Sequence, residues 1–302
     1  MKRAVSVSIG SSKRDKVVEV ELLGEKIRIE RIGTNGDMEA AALKFKELDG
    51  TVDALSVGGA DLGTLVDGVF YPFHSVQPMI RYVKTTPVVD GCNLKNTLEN
   101  RAPAFLEEKI GKYIQENGGK KVLVTMGGER WGLSSSFVEA GYEAVFGDLM
   151  FTMGIPVPIK SLNALKWTTK MIVPVATRFP LQWFYPTGEQ QHVRTPKYTN
   201  YYDWATVITG DCMYIKQHMP DNMQGKVIVT NTTTPEDVAL FKKLGVKYLV
   251  TTTPVLDGRS FGTNLIEATL VALAGKKRPL TLQELEEMID KVGFGPQLQE
   301  LN

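Results

Sequence analysis

Apolar and polar positions change period several times along the chain. Ala4 to Ile9 is a short β-branched run and reads as a strand. From Lys16 to Ile32 the segments VVEVELL and KIRIERI alternate polar and apolar residues, which predicts a hairpin about a Gly24-Glu25 turn. Asp37 to Leu48 has helical spacing, an acidic start and Gly50 beyond its end. Val52 to Val57 is a buried strand closed by Gly58-Gly59. Residues 70–90 keep no period and carry prolines at 72, 78 and 87. Leu98, Phe105, Ile110 and Ile114 then recur at helical intervals, predicting one or two helices over Asn93–Asn117, with Gly118-Gly119 after them.

The second half repeats one unit. KVLVT (121–125) is a strand, MGGERWG a glycine-rich turn, LSSSFVEAG a helix and YEAVFGD a second strand. ATVITGD (205–211), KVIVTNTTT (226–234) and KYLVTTTP (247–254) are further strands, separated by helical segments such as PEDVALFKKLG. NLIEATLVALAG (264–275) and TLQELEEMIDKVG (281–293) are helices, the latter with Thr281 as N-cap. Repeated strand–helix units require parallel strands, so the fold class is α/β, an N-terminal α/β domain followed by a Rossmann-like, doubly wound parallel sheet. The expected divisions are 1–119, 120–275 and a closing segment 276–302 that returns to the first domain. One stretch resists this scheme: Thr177 to Trp204 holds eight aromatics and prolines at 180, 186 and 196. It reads as a substrate lid or as the contact surface of a homo-oligomer.

Composition narrows the function classes. The apolar fraction is 43% and the charged fraction 23%, as in globular proteins. Thirty-five basic residues against thirty-four acidic give a net charge of +1, so no overall field draws the chain to nucleic acid. The start MKRAVSVSIG has too short an apolar run for a secretory segment, and no run is long enough to span a membrane. The two cysteines, Cys92 and Cys212, form neither a disulfide framework nor a zinc site, and no histidine pair or acid cluster has metal-ligand spacing. A cytoplasmic location with free thiols and a small-molecule substrate is expected.

The glycine turn is the sharpest chemical feature. Pyrophosphate needs a tight turn after a strand, bare backbone and a helix N-terminus aimed at it. Gly127 and Gly132 stand at the first and third glycine positions, Gly128 one place before the second, and Glu129 on the second itself. Asp148 lies about twenty residues on, at the end of the next strand, where an acid would accept hydrogen bonds from ribose hydroxyls. No cation follows it, which favours NAD over NADP. Thr209 and Gly210 end the strand expected fourth in the sheet, where Gly210 would let a nicotinamide ring approach the backbone. A methyltransferase using S-adenosylmethionine would share the turn and the acid, but its sheet would end in an antiparallel hairpin that the sequence does not suggest. A non-catalytic dinucleotide sensor would also keep both.

With its parts in this order the chain resembles the shikimate/quinate dehydrogenase family. The stretch DGRSFGTNLIEATLVALAG (257–275) is similar in spacing to that family's late glycine-started helix at the substrate cleft, and SIGSSKRD supplies serines near the N-terminus. The resemblance implies NAD-dependent interconversion of a secondary alcohol and a ketone on a polar carboxylate such as quinate, with a lysine–aspartate pair moving the hydroxyl proton.

The stretch VVDGCNLKNTLENR holds the best candidates for that pair. Lys95 is the candidate base, with Asp90 beside it, Asn93 as a substrate or cap residue, and Lys84 as the next lysine to consider. Asn264, with Thr263 and Glu267, follows Gly262 at a helix start and suits hydroxyl recognition, while Arg259 could pair with a substrate carboxylate. His74 reads as a packed or surface histidine, His192 as part of the aromatic stretch and His218 as lying on a solvated helix face. Ser134 to Ser136 begin the helix after the glycine turn.

Overall fold

A computed structural model describes residues 1–178, 194–256 and 259–302; the side chains of residues 255, 256, 259 and 260 fall outside the description. The elements in chain order begin with β1 (Lys2–Ser8), β2 (Lys16–Leu22), β3 (Glu25–Gly33), α1 (Met38–Leu48), β4 (Ala54–Gly58), β5 (Gly63–Val66), β6 (Val69–Pro72), β7 (Val88–Val89) and α2 (Cys92–Lys95). There follow α3 (Ala102–Glu116), β8 (Lys121–Val124), α4 (Trp131–Glu139), β9 (Glu143–Phe146), α5 (Leu162–Ala176), α6 (Thr199–Trp204), β10 (Val207–Thr209), α7 (Cys212–His218), β11 (Val227–Thr230), α8 (Pro235–Lys243) and β12 (Tyr248–Thr251). The chain closes with β13 (Val255–Leu256), β14 (Arg259–Ser260), α9 (Thr263–Ala274), α10 (Leu282–Val292) and β15 (Gln297–Glu300).

The chain forms two compact α/β units. The first takes Met1–Thr97, a stretch beginning at Val173, and Val255–Phe294; the second takes Leu98–Ile172, Glu189–Pro254 and Gly295–Asn302. The expected break at 118–120 therefore falls some twenty residues earlier, because α3 packs with the second sheet: its Ala102, Leu106, Ile110 and Ile114 share a core with Val122 and Val124. Helix α9, expected with the second domain, belongs to the first. Nearly every residue from Leu265 to Leu273 is buried, so this helix has no polar face to leave in water and lies against β1 and β4. The closing segment is split: α10 lies in the first unit and β15 in the second.

The first unit's sheet runs β2-β3-β1-β4-β7, with β3, β1, β4 and β7 parallel and β2 antiparallel at the edge. Leu22 pairs with Glu25, so the hairpin turns on Leu23-Gly24, one residue before the expected site. Both turn residues have positive φ, 53° and 76°, the conformation that matches the twist of a two-residue hairpin. Val5, Val7, Leu55 and Val57 face Phe45 and Ala41 of α1.

The second unit's sheet runs β9-β8-β10-β11-β12-β15. All of its strands are parallel except β15, which pairs antiparallel with β12, Tyr248 opposite Glu300. The sequence suggested no antiparallel strand there; β15 (QLQE) is short and polar, as an exposed edge strand should be, and so leaves little signal. Strand β10, expected fourth, is the third of this unit and lies directly beside β8. The order reverses between β8 and β10, and the C-terminal ends of these two strands define the crevice where such sheets bind ligands. Among the described residues no helix is long and apolar enough to cross a membrane.

Candidate functional site

In the first unit the chemistry gathers where β7 turns into α2. Gly91, with φ at 93°, makes the turn. A Cβ there would lie 2.6 Å from the Asn264 nitrogen and 2.7 Å from Thr263 Oγ1, so only glycine lets the start of α9 come this close. Asp90 just before it accepts hydrogen bonds from the Cys92 nitrogen (2.9 Å) and the Leu62 nitrogen (2.7 Å). Lys95, at the end of the same short helix, is 5% exposed and donates from Nζ to Asp61 Oδ2 at 2.7 Å. Glu267 on α9 is 1% exposed and accepts from the Leu94 nitrogen at 3.3 Å. Burial, reinforced by the charge of Asp90, raises the Glu267 pKa to about 8 despite the amides directed at it, so its carboxyl is neutral at pH 7. A cleft of about 190 Å³ opens beside these groups, walled by Asp90, Asn93, Glu267 and Cys92 with apolar Leu62 and Phe70. Burial also pushes the Cys92 thiol upward, with Asp90 adding to the effect and Lys95 opposing it, so this cysteine stays protonated.

Asp90 and Asn93 thus reach the cleft, and Lys95 is buried in a charge pair with Asp61 rather than forming part of the cleft wall. Lys84 is exposed at the surface, its backbone N–H donating to Asp49, and does not line the cleft. Asn264 does not face a ligand: its Nδ2 donates to Ser6 Oγ (2.8 Å) and Ser56 Oγ (3.2 Å), tying α9 to β1 and β4. The Arg259 side chain lies outside the described residues, as does His192. His74 is exposed, while His218, expected on a solvated face, is 4% exposed and stacked on Phe151 at 5.2 Å between ring centroids. Burial lowers its pKa, which keeps the ring neutral.

Asp61 was not legible as a site residue, and Glu267 was read only as one of the groups at a helix start suited to hydroxyl recognition. Asp61 follows Gly58-Gly59-Ala60 with no motif about it. Glu267 reads as a helix-end group; the signal that marks it as buried is that NLIEATLVALAG has no polar face for it to occupy.

In the second unit, β8 leads through Thr125 and Met126 into the glycine turn. Asp148 does not wait there for a ribose. Its Oδ2 accepts from the Gly127 nitrogen at 2.9 Å and its Oδ1 from the Gly128 nitrogen at 2.7 Å. Burial raises its pKa to about 6 against the effect of these amides. Ser134 donates from Oγ to the Gly127 carbonyl at 3.0 Å, holding the turn from inside rather than offering its hydroxyl to a phosphate. Gly132 is buried in the first turn of α4. Arg130 is 1% exposed, paired with Glu99 and, at 3.3 Å, with Asp211. Thr209 donates to the Val229 carbonyl at 3.0 Å, and Gly210, with φ at 141°, lies so near Thr125 that a Cβ would overlap its Oγ1. The residues expected to hold NAD are therefore brought together, but the Gly127 and Gly128 amides donate to Asp148, and Thr209 donates to Val229. They do not fit a dinucleotide.

Two α/β units with parallel sheets, one of them Rossmann-like, define the class of fold. The chain belongs to the family described as "Domain of unknown function (DUF8754)", whose model matches residues 93–301. A second model, "Domain of unknown function (DUF8753)", matches residues 3–90, so the two models divide the chain just before α2. No curated protein matches the sequence. Among solved structures the chain is similar to a Mycobacterium smegmatis protein crystallised with β-D-fucofuranose, at 10% identity over 100% of this chain and 92% of that one, with a TM-score of 0.35. It is similar to an NAD-dependent malic enzyme from Thermotoga maritima at 13% identity over 96% and 84%, with a TM-score of 0.35. A galactofuranose binding protein is similar at 12% identity over 97% and 99%, with a TM-score of 0.33.

Proposed function

We propose that the first unit carries out acid–base chemistry on a small hydroxylated molecule, a proton transfer with no net oxidation such as the loss of water or the shift of a carbonyl to the neighbouring carbon. The observation that carries this reading is the buried Glu267 carboxyl in a cleft wall shared with Asp90. The two acids have different surroundings. Asp90 accepts two backbone N–H bonds, whereas burial keeps the Glu267 proton in place. A neutral carboxyl can hand a proton to a substrate oxygen.

A second reading is favoured by one observation, the buried contact of Lys95 with Asp61. The resemblance to shikimate/quinate dehydrogenases implies a lysine–aspartate pair, and Lys95 with Asp61, in place of the Asp90 expected from the sequence, would be its candidate. On this reading Lys95 would take the hydroxyl proton, and NAD, held elsewhere than at the glycine turn, would supply the oxidant.

One experiment separates the two. Polyols and hydroxy acids, quinate among them, are incubated with the protein with and without NAD, and turnover is followed by NMR. The first reading expects turnover without NAD and its loss, by about 100-fold or more, in Glu267→Gln. The second expects turnover only with NAD and its loss in Lys95→Met. Turnover that survives both substitutions overturns both readings.

A further inference from the structure

We infer that the glycine turn of the second unit is occupied by an anion of the chain's own, Asp148, and takes no dinucleotide. In a Rossmann-like sheet the amides after the first strand hold pyrophosphate. Here the amides of Gly127 and Gly128 each donate to one oxygen of the Asp148 carboxylate, at 2.9 and 2.7 Å. The carboxylate thus stands where a phosphate would, with both oxygens engaged.

The glycines have a different reason to be there. A Cβ on Gly127 would lie 2.7 Å from the Phe146 ring and 2.9 Å from Leu165; one on Gly128 would lie 2.8 Å from Thr169 Oγ1. Both positions are bare so that the turn can pack against β9 and α5, not so that a ligand can approach it.

Charge points the same way. Arg130, beside the turn, is paired with Glu99 and Asp211. Glu129 and Asp211 both add negative potential at Arg130, and Glu129 does so at Asp148. At the switch point Gly210 sits against Thr125, with no room for a methyl group on its α-carbon.

This inference is independent of the acid–base reading of the first unit, and it bears on NAD only at this turn. The test uses the wild-type protein labelled with ¹⁵N-glycine. NADH, and separately inorganic pyrophosphate, is added to about 1 mM while the Gly127 and Gly128 amide resonances are followed. The expected result is that neither resonance moves and that both amides exchange slowly with solvent. If NADH binds and other glycines shift while these two do not, the inference stands and the cofactor has another seat, which leaves the NAD-dependent reading intact. Saturable shifts of Gly127 and Gly128 with either probe would overturn it.

Discussion

Replacing Glu267 by glutamine should remove a specific pH dependence from the stability of the first unit. Glutamine keeps the shape of the neutral carboxyl but cannot ionise. In the unfolded chain this glutamate titrates near 4.5; in the fold burial and Asp90 raise it to about 8. Between these values the folded chain holds one proton that the unfolded chain has lost. Stability from this group is therefore complete below pH 4.5 and is lost as pH rises through 8. The slope is about 1.4 kcal/mol per pH unit, so roughly 3 kcal/mol disappears between about pH 5.5 and 7.5. Glu267→Gln should lack this loss, and relative to wild type it should gain about that amount over the same interval. Hydrogen exchange of α9 peptides, measured by mass spectrometry, reports on the first unit alone, and comparing the two proteins at each pH cancels the intrinsic exchange rate. A wild-type-minus-variant difference that stays constant from pH 5.5 to 7.5 would show that Glu267 is ionised in the fold, and the acid–base reading would fall with it.

Three further outcomes are expected. Arg130→Met strands the buried Glu99 carboxylate and should cost about 3–5 kcal/mol in urea unfolding, while adding Glu99→Leu should recover most of it; equal stability of the single and double variants would refute the pairing. Gly91→Ala forces a side chain into a left-handed turn and against the Asn264 backbone, so a loss of about 1–3 kcal/mol is expected in thermal unfolding, and a wild-type midpoint would contradict the close approach of α2 and α9. Thr281→Ala removes the capping box formed with Glu284 and should cost about 1 kcal/mol, read as faster hydrogen exchange at the start of α10.

Much of the fold was legible because local rules agreed with tertiary ones. The alternation in VVEVELL and KIRIERI gives a hairpin whatever packs on it, Thr281 and Glu284 cap α10 by themselves, and the repeated strand–helix units permit little but parallel strands. The misreadings share a cause. The hairpin turn was displaced by one residue because Leu23 accepts a positive φ that its side chain does not advertise. Edge strand β15 is polar and gave no signal. The position of α9 depended on which sheet would bury an all-apolar helix, a choice that no periodicity records.

The sites divide in the same way. The sequence by itself determined that glycines and an acid recur near a strand end, and that Asp90, Asn93 and Lys95 lie within one short stretch. Only the tertiary structure decided what those residues touch. It brought Asp61 to Lys95 and Glu267 to the cleft wall from 34 and 173 positions away from their partners Lys95 and Leu94. It also turned Asp148 onto the Gly127 and Gly128 amides, filling the turn it was expected to complete. Hydrogen bonds act over about 3 Å, whereas sequence fixes only the order of the groups that make them. A glycine pattern therefore specifies a bare backbone, and the fold decides whether a ligand or the protein's own carboxylate comes to meet it.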